Sequence, residues 1–428
     1  MPTWIVAHSE TLCKFLLPLL AGFSDAQVQH ALNVIEGLLV CPAKHKTLAA
    51  LTRMLWREHA DEYALADFFR RSPWSGVTVQ QAVTRFLLGF VAQVQAATGW
   101  RLLFISLDDS LCRKDLETHA LQAVSLHHDH VQQRRQVGHF TNSSRFVSLH
   151  LQLGSIQLPL NWRVYLKRSQ VTKLNRLRQG SGQPRLKFVS LPDLAKDLLA
   201  EIAPHLPRGV RVYVLFDHWY DGRALQKFIR AHGWHFICAA HANRRLGDFY
   251  LSEWWQHLGH QRCERFTLRS ATRSHTYRTR QLVGQLRGQP GDVLAIISKR
   301  DRRGATPVYF LCSDPKLSVP CVLKYYNHRW QAEIDNWWLK ERFGLADYRL
   351  HSLEAILNWH ALVFAAYAFI QYRRAAPLLD DTQGALASTA ETLAEHQRWH
   401  ARQTVAAIAK LVRAGQTDDQ VFDQLWPP

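Results

Sequence analysis

The sequence predicts an α/β core interrupted by a mostly β insertion, with an all-helical N-terminal region before it and further helices after it. Three observations carry this fold class. Apolar residues recur at helical spacing up to residue 98, then switch at Arg101 to short runs and alternation. From there the pattern reads β-β-β-α-β-α-β as far as Ala240, with an Asp closing two of the strands. Between 241 and 319 alternating stretches replace that order, and a strong helical pattern resumes at Pro320.

Segments 10–21, 26–39, 45–56, 62–71 and 78–97 have helical spacing, parted by turn signals such as Pro42 and Ser72-Pro73-Trp74. Lys44, Lys46, Arg53, Arg57, Arg70 and Arg71 make this region basic. Residues 1–98 are therefore expected to form a helical DNA-binding domain, although a structural helical cap fits them almost as well. The core strands are expected at Leu102–Leu107, Phe146–Leu153, Ile156–Leu166, Val212–Phe216 and Phe236–Ala240, with helices at Val189–Ile202 and Ala224–His232. The later strands are joined by parallel crossovers.

A bare loop of nearly eighty residues is improbable. Residues 241–319 are read instead as a β-rich insertion with strands near Phe266–Leu268, Thr276–Val283, Val293–Ser298 and Val308–Cys312. A helix over Pro320–Phe343 and an apolar helix over 353–372 return the chain to the core, which is assigned to 99–240 and 320–373. Residues 374–428 form a C-terminal helical segment: a linker at Pro377–Gly384, then a polar-faced helix over Ala385–Ala414.

At 428 residues with 47% hydrophobic and 21% charged composition, the chain can build a sizeable core, and disorder is a poor reading. Lys plus Arg number 53 against 35 Asp plus Glu, a formal net charge of +18. That excess favours a polyanionic partner, since Lys and Arg release condensed counterions from nucleic acid. Seven scattered cysteines, none in a C-x-x-C pair, argue against a disulfide framework or a cysteine zinc site and for a reducing cytoplasm. Leu16–Leu20 follows Glu10 rather than a basic stretch, so it reads as an amphipathic helix and not a signal peptide. The run Ala355–Tyr372 is broken by Asn358 and His360 and reads as a buried helix, with no membrane partner expected.

Three carboxylates stand where chemistry would need them. Asp108 ends the first core strand, Asp217 follows a later parallel strand, and Glu333 lies on the helix after the insertion. Sites in open α/β sheets form at strand ends. Hard oxygen donors from separate elements suit Mg²⁺, and two such ions can clamp an in-line phosphoryl displacement. Around Glu333 the helix reads Tyr326-Asn-His-Arg329-Trp-Gln-Ala-Glu333-Ile-Asp-Asn-Trp-Trp-Leu-Lys340. At about 100° per residue, Tyr326, Arg329, Glu333 and Lys340 share one face, where metal and phosphate could be held together. The plainer reading is a surface Arg–Glu i,i+4 pair.

The spacing Y-x2-R-x3-E-x6-K resembles the Tyr-Arg-Glu-Lys motif of a large superfamily of bacterial insertion-sequence DDE transposases. Leu107-Asp108-Asp109-Ser110 resembles its first-strand D-x-T/S motif, and Phe216-Asp217-His218-Trp219-Tyr220 its D-x-x-Y motif, all in the family's order. The resemblance covers about residues 100–373. It implies a ribonuclease H-like core and a catalytic, metal-binding triad of Asp108, Asp217 and Glu333. It also implies phosphate contacts from Tyr326, Arg329 and Lys340, two Mg²⁺ ions (with Mn²⁺ as a substitute), and a homodimer bridging two ends of double-stranded element DNA before joining them to target DNA. A cytoplasmic, nucleoid-associated enzyme follows. The adjacent acids Asp108 and Asp109 point to opposite strand faces; the D-x-T/S pattern favours Asp108. Two rival classes are a nuclease that cuts without joining and a catalytically inactive DNA-binding descendant.

Other basic and aromatic residues are candidate DNA contacts. Lys167–Lys187 holds seven basic residues and no acid, among them Lys167, Arg168, Lys173, Arg176 and Arg178, and reads as a mobile loop that could order on DNA. Arg244, Arg245, Arg302 and Arg303 lie in an Arg-rich insertion. Trp254 and Trp255 fall where relatives hold a flipped base, with core packing the plainer role. His127, His128, His130 and His139 fit no zinc spacing and read as solvated loop residues.

Overall fold

The computed structural model describes residues 8–54, 62–129, 140–180, 182–269, 274–302, 304–382 and 384–425. Its organising element is β1 (Leu102–Arg113), a strand buried on both faces through its first half. Leu103, Ile105 and Leu107 enter the main core, whereas Phe104 joins a second cluster on the opposite face. That double burial is why the run is continuously apolar rather than alternating. β1 pairs antiparallel with β3 (Phe140–Leu153) and parallel with β5 (Arg211–Phe216); β4 (Ile156–Tyr165) pairs with β3, and β6 (His235–Ala240) runs parallel to β5. The β3–β4 turn needs Gly154, whose φ of +56° and contact with the Trp100 ring leave no room for a Cβ.

The inserted strands continue this sheet. β12 (Val308–Cys312) pairs antiparallel with β6, followed outward by β11 (Asp292–Arg300), β10 (Ser274–Gln285) and β9 (Glu264–Arg269). A small hairpin of β7 (Arg245–Leu246) and β8 (Phe249–Tyr250) precedes a short helix, Leu251–His257, that carries Trp254 and Trp255.

One sheet face is covered by the helices Leu191–Ile202 and Arg223–Ala231. The other is covered by the segment after the insertion. Where one helix was expected over Pro320–Phe343, there are Val319–Asn327 and Trp330–Trp337 with turns at His328 and Arg329, then a π-helical turn over Trp338–Arg342. The π turn closes with Phe343 N–H donating to the Trp338 carbonyl, and such turns often mark functional positions.

The helix Leu353–Ala375 is buried almost all round, as its apolar circumference requires. It is long and apolar enough to cross a membrane, yet 89% of its most apolar window is packed inside the protein. The N-terminal helices pack against it. Gly76 opens the helix Gly76–Thr98, where an added Cβ would strike the Leu357 carbonyl at 2.6 Å, and its N–H donates to Asn358 Oδ1. The helix Thr389–Arg413 returns to the N-terminal helix Asp25–Val40 through His396 and Glu36, both buried.

Two further local expectations fail. Residues 168–179, read as a mobile loop, form a helix: Val171 and Leu174 bury one face, and Gln170 accepts the Lys167 N–H at the start. Val171, Leu174 and Leu177, spaced by three, gave too thin a stripe to see among the basic residues. His127 is no solvated loop residue but is buried in a strand, β2 (Ser125–His128), beside Ser125 Oγ; burial, helped by Lys167 and Arg145, pushes its imidazole down to about 3. His130 and His139 lie outside the described residues.

Candidate active site

Strand alternation separates the adjacent acids. Asp108 faces the segment after the insertion: Asn336 Nδ2 donates to its Oδ2 at 3.2 Å, and Arg329 Nη1 lies 3.4 Å from its Oδ1. Asp109 faces Arg145 of β3, whose Nε is 2.6 Å away, and accepts from the Tyr220 hydroxyl at 3.1 Å. Tyr220 follows Asp217 in the D-x-x-Y segment. Asp217 itself leaves the end of β5 and accepts the Trp219 N–H at 2.9 Å, capping a single 3-10 turn.

From the opposite side, Arg329 spans two acids. Its Nη1 meets Asp108 and its Nη2 meets Glu333, one helical turn on. Lys340, displaced by the π turn, donates to Ser110 Oγ at 2.8 Å, joining the far ends of two motifs 230 residues apart. Tyr326 packs edge-on to Phe310 with Arg329 over its ring; burial pushes its phenol up to about 12.

Asp108, Asp109, Asp217 and Lys340 line a groove of 1520 Å³ that runs to Lys44 and His45 of the N-terminal region. Glu333 does not line it. Burial pushes the Asp108 carboxyl up to about 8; Arg329 opposes the rise, and Asp109, Asp217 and Glu333 add to it. Asp217 is also raised, by burial and then by Asp109. For Arg329, burial works against the charge, but Tyr326, Asp108 and Glu333 more than reverse it. The acids therefore repel one another in a poorly solvated place, and one guanidinium holds two of them.

The profile for DDE superfamily endonucleases matches residues 18–286 of this chain, more than half its length. The chain belongs to that family. No curated protein matches it. The matched span includes Asp108 and Asp217 and ends before Glu333. DDE superfamily endonucleases generally use divalent metal ions. Among the described residues, no three His, Cys, Asp or Glu side chains are gathered closely enough to hold an ion as they stand. In this member of the family the Arg329 guanidinium stands between Asp108 and Glu333, and its buried Nε lacks a hydrogen-bond partner. The donor set nevertheless fits: oxygen ligands on three separate elements, mutually repelling, are what a hard cation neutralises.

The remaining candidates are dispersed. Lys173, Arg176, Arg245 and Arg302 are exposed. Lys167 donates to the Leu126 carbonyl, Arg168 lies over the Phe188 ring, and Arg178 pairs with Glu354. Arg244 is an internal strut, pairing with buried Asp221 and donating to Gln226. Arg303 lies outside the described residues. Trp254 donates to the Leu246 carbonyl, and Trp255 carries Arg280 and Lys299 over its ring, each at 4.5 Å; neither lines the groove. Sequence reasoning missed Arg145 and Asn336. Asn336 lies three residues past Glu333, a helical neighbour that could have been noticed; Arg145 sits on another strand with no motif around it.

Proposed function

We propose that the chain is a DNA transposase of the insertion-sequence group with the Tyr-Arg-Glu-Lys motif, cleaving mobile-element ends and joining them to target DNA. The observation that carries this reading is the convergence of three separated sequence motifs: Asp108, Asp217 and Lys340 line one groove, and behind it Arg329 ties Asp108 to Glu333. The net charge of +18 supports a DNA partner. A homodimer bridging two ends, acting at the bacterial nucleoid, completes the proposal.

In this reading Asp108, Asp217 and Glu333 would hold two Mg²⁺ ions, with Mn²⁺ able to substitute, and the bound ions would polarise the phosphodiester and activate the attacking hydroxyl. Water opens the first phosphodiester and frees a 3′-hydroxyl; that hydroxyl then attacks a second phosphodiester. Arg329, which bridges two acids, has a planar fork suited to phosphate oxygens, and Lys340 presents a point charge beside Ser110. Tyr326 braces Arg329 from beneath. The protein's work is positioning and charge stabilisation, without a covalent intermediate.

Pre-cleaved element ends with free 3′-hydroxyls, incubated with target plasmid and Mg²⁺, test the reading. Joined product is expected. Cleavage of intact ends with no joining would make the chain a nuclease, and neither activity would make it a DNA-binding descendant.

A further inference from the structure

Behind Asp108 lies a buried polar chain that no step above uses. The β1–β3 register sets Ser148 opposite Asp108 and His150 opposite Ser106, on the face that Asp335 and Asn336 of the helix Trp330–Trp337 contact. The pairing of β3 with β4 slips between Leu149 and His150, a bulge at the place where His150 is aimed. His150 Nδ1 is 2.8 Å from Asp335 Oδ2, and its Nε2 is 2.9 Å from Ser148 Oγ. Ser148 Oγ in turn lies 3.5 Å from Asn336 Oδ1, the longest link, and Asn336 Nδ2 donates to Asp108. Ser148, His150, Asp335 and Asn336 are all buried, the most exposed at 3%.

The chemistry fixes the orientation of Asn336. Ionised, as a metal ligand must be, Asp108 offers only acceptors, so Asn336 turns its NH₂ to it, which leaves Oδ1 facing Ser148. Ser148 Oγ lies against that oxygen, His150 Nε2 holds the Ser148 hydroxyl in place, and Asp335 orients the imidazole. Asp335 is itself fixed by the Tyr367 hydroxyl at 2.6 Å and Gln331 Nε2 at 2.9 Å. A buried Ser–His–Asp set of this kind cannot reach a substrate. Groups that hold a ligating carboxylate from behind do have a function: they tune metal affinity.

We infer that Asn336 is a positioning residue that holds Asp108 in its metal-binding orientation, and that Ser148, His150 and Asp335 lock Asn336. This rests on the reading of Asp108 as a metal ligand. The test is Mn²⁺ binding by the full-length chain, read by the electron paramagnetic resonance of free Mn²⁺. Asn336→Ala should weaken binding by about 10–100-fold, and Ser148→Ala, which removes only a hydroxyl, several-fold. His150→Gln should weaken it too, but add nothing in the Asn336→Ala background. Wild-type affinity in either Asn336→Ala or Ser148→Ala, or additive effects in the double variant, would overturn the chain. Asp108→Asn separates the two ideas: if it, too, binds Mn²⁺ like the wild type, the ligand assignment itself falls and the inference with it. If Asn336→Ala fails to fold, Ser148→Ala still decides.

Discussion

Arg145 Nε sits 2.6 Å from Asp109 Oδ2, so the second of two adjacent acids on β1 is already paired with a cation. Asp108, on the opposite face, is left toward Glu333 and Asn336. We expect Asp108→Asn to eliminate metal-dependent nicking. Asp109→Asn should retain a measurable fraction but melt at lower temperature, because it strands a half-buried guanidinium. Nicking assays and thermal melts on both variants check this; the reverse pattern would move the ligand role to Asp109.

Removing Glu333 and removing Arg329, which bridges it to Asp108, should both cost cleavage but differ in their response to metal. Glu333→Gln should abolish cleavage while DNA binding persists. Arg329→Ala should cut cleavage by about 10²–10³-fold, the usual cost of losing a charge-stabilising donor. It should also leave Asp108 and Glu333 repelling without their counter-charge. Its melting temperature in chelator should therefore drop, and added Mn²⁺ should raise it by more than in the wild type. An equal Mn²⁺ response in both proteins would count against Arg329 as the metal-free counter-ion.

Lys340 and Ser110 should behave as a unit. Lys340→Ala is expected to impair cleavage strongly, Ser110→Ala mildly by loosening the lysine, and the pair no more than Lys340→Ala alone. Normal transposition by Lys340→Ala would remove it from phosphate binding.

Much of this site could be read from spacing because its parts lie on regular elements. Strand alternation already divided Asp108 from Asp109, and helical spacing put Arg329 one turn before Glu333. The phasing of Lys340 did not follow from 100° per residue, since the π turn over Trp338–Arg342 changes it. Arg145, Ser148 and His150 were illegible for a different reason. Their roles come from cross-strand register and a bulge, which depend on pairing partners far away in sequence. The continuity of the inserted strands with the core sheet was hidden likewise: alternation announces a strand but does not say which edge it joins.

The last prediction concerns how the two ends of the chain are held together. Glu36 of the helix Asp25–Val40 is fully buried, with His396 Nε2 3.1 Å from one oxygen and His8 Nδ1 2.9 Å from the other. Burial alone would push this carboxyl up; the hydrogen bonds and charges of His396 and His8 outweigh it and hold it well below its ordinary 4.5. A carboxyl whose pKa is lowered by folding stabilises the folded state at every pH above its ordinary value. That contribution shrinks as the pH falls below 4.5 toward the lowered value. Glu36→Gln should therefore be less stable than the wild type at pH 7 by about 3 kcal/mol, the scale for breaking a buried charged pair. Below pH 4.5 the gap should close by about 1.4 kcal/mol per pH unit. Urea unfolding of both proteins at pH 7, 5, 4 and 3.5 reads this directly. A gap that stays constant across the series would mean that Glu36 contributes shape and not charge.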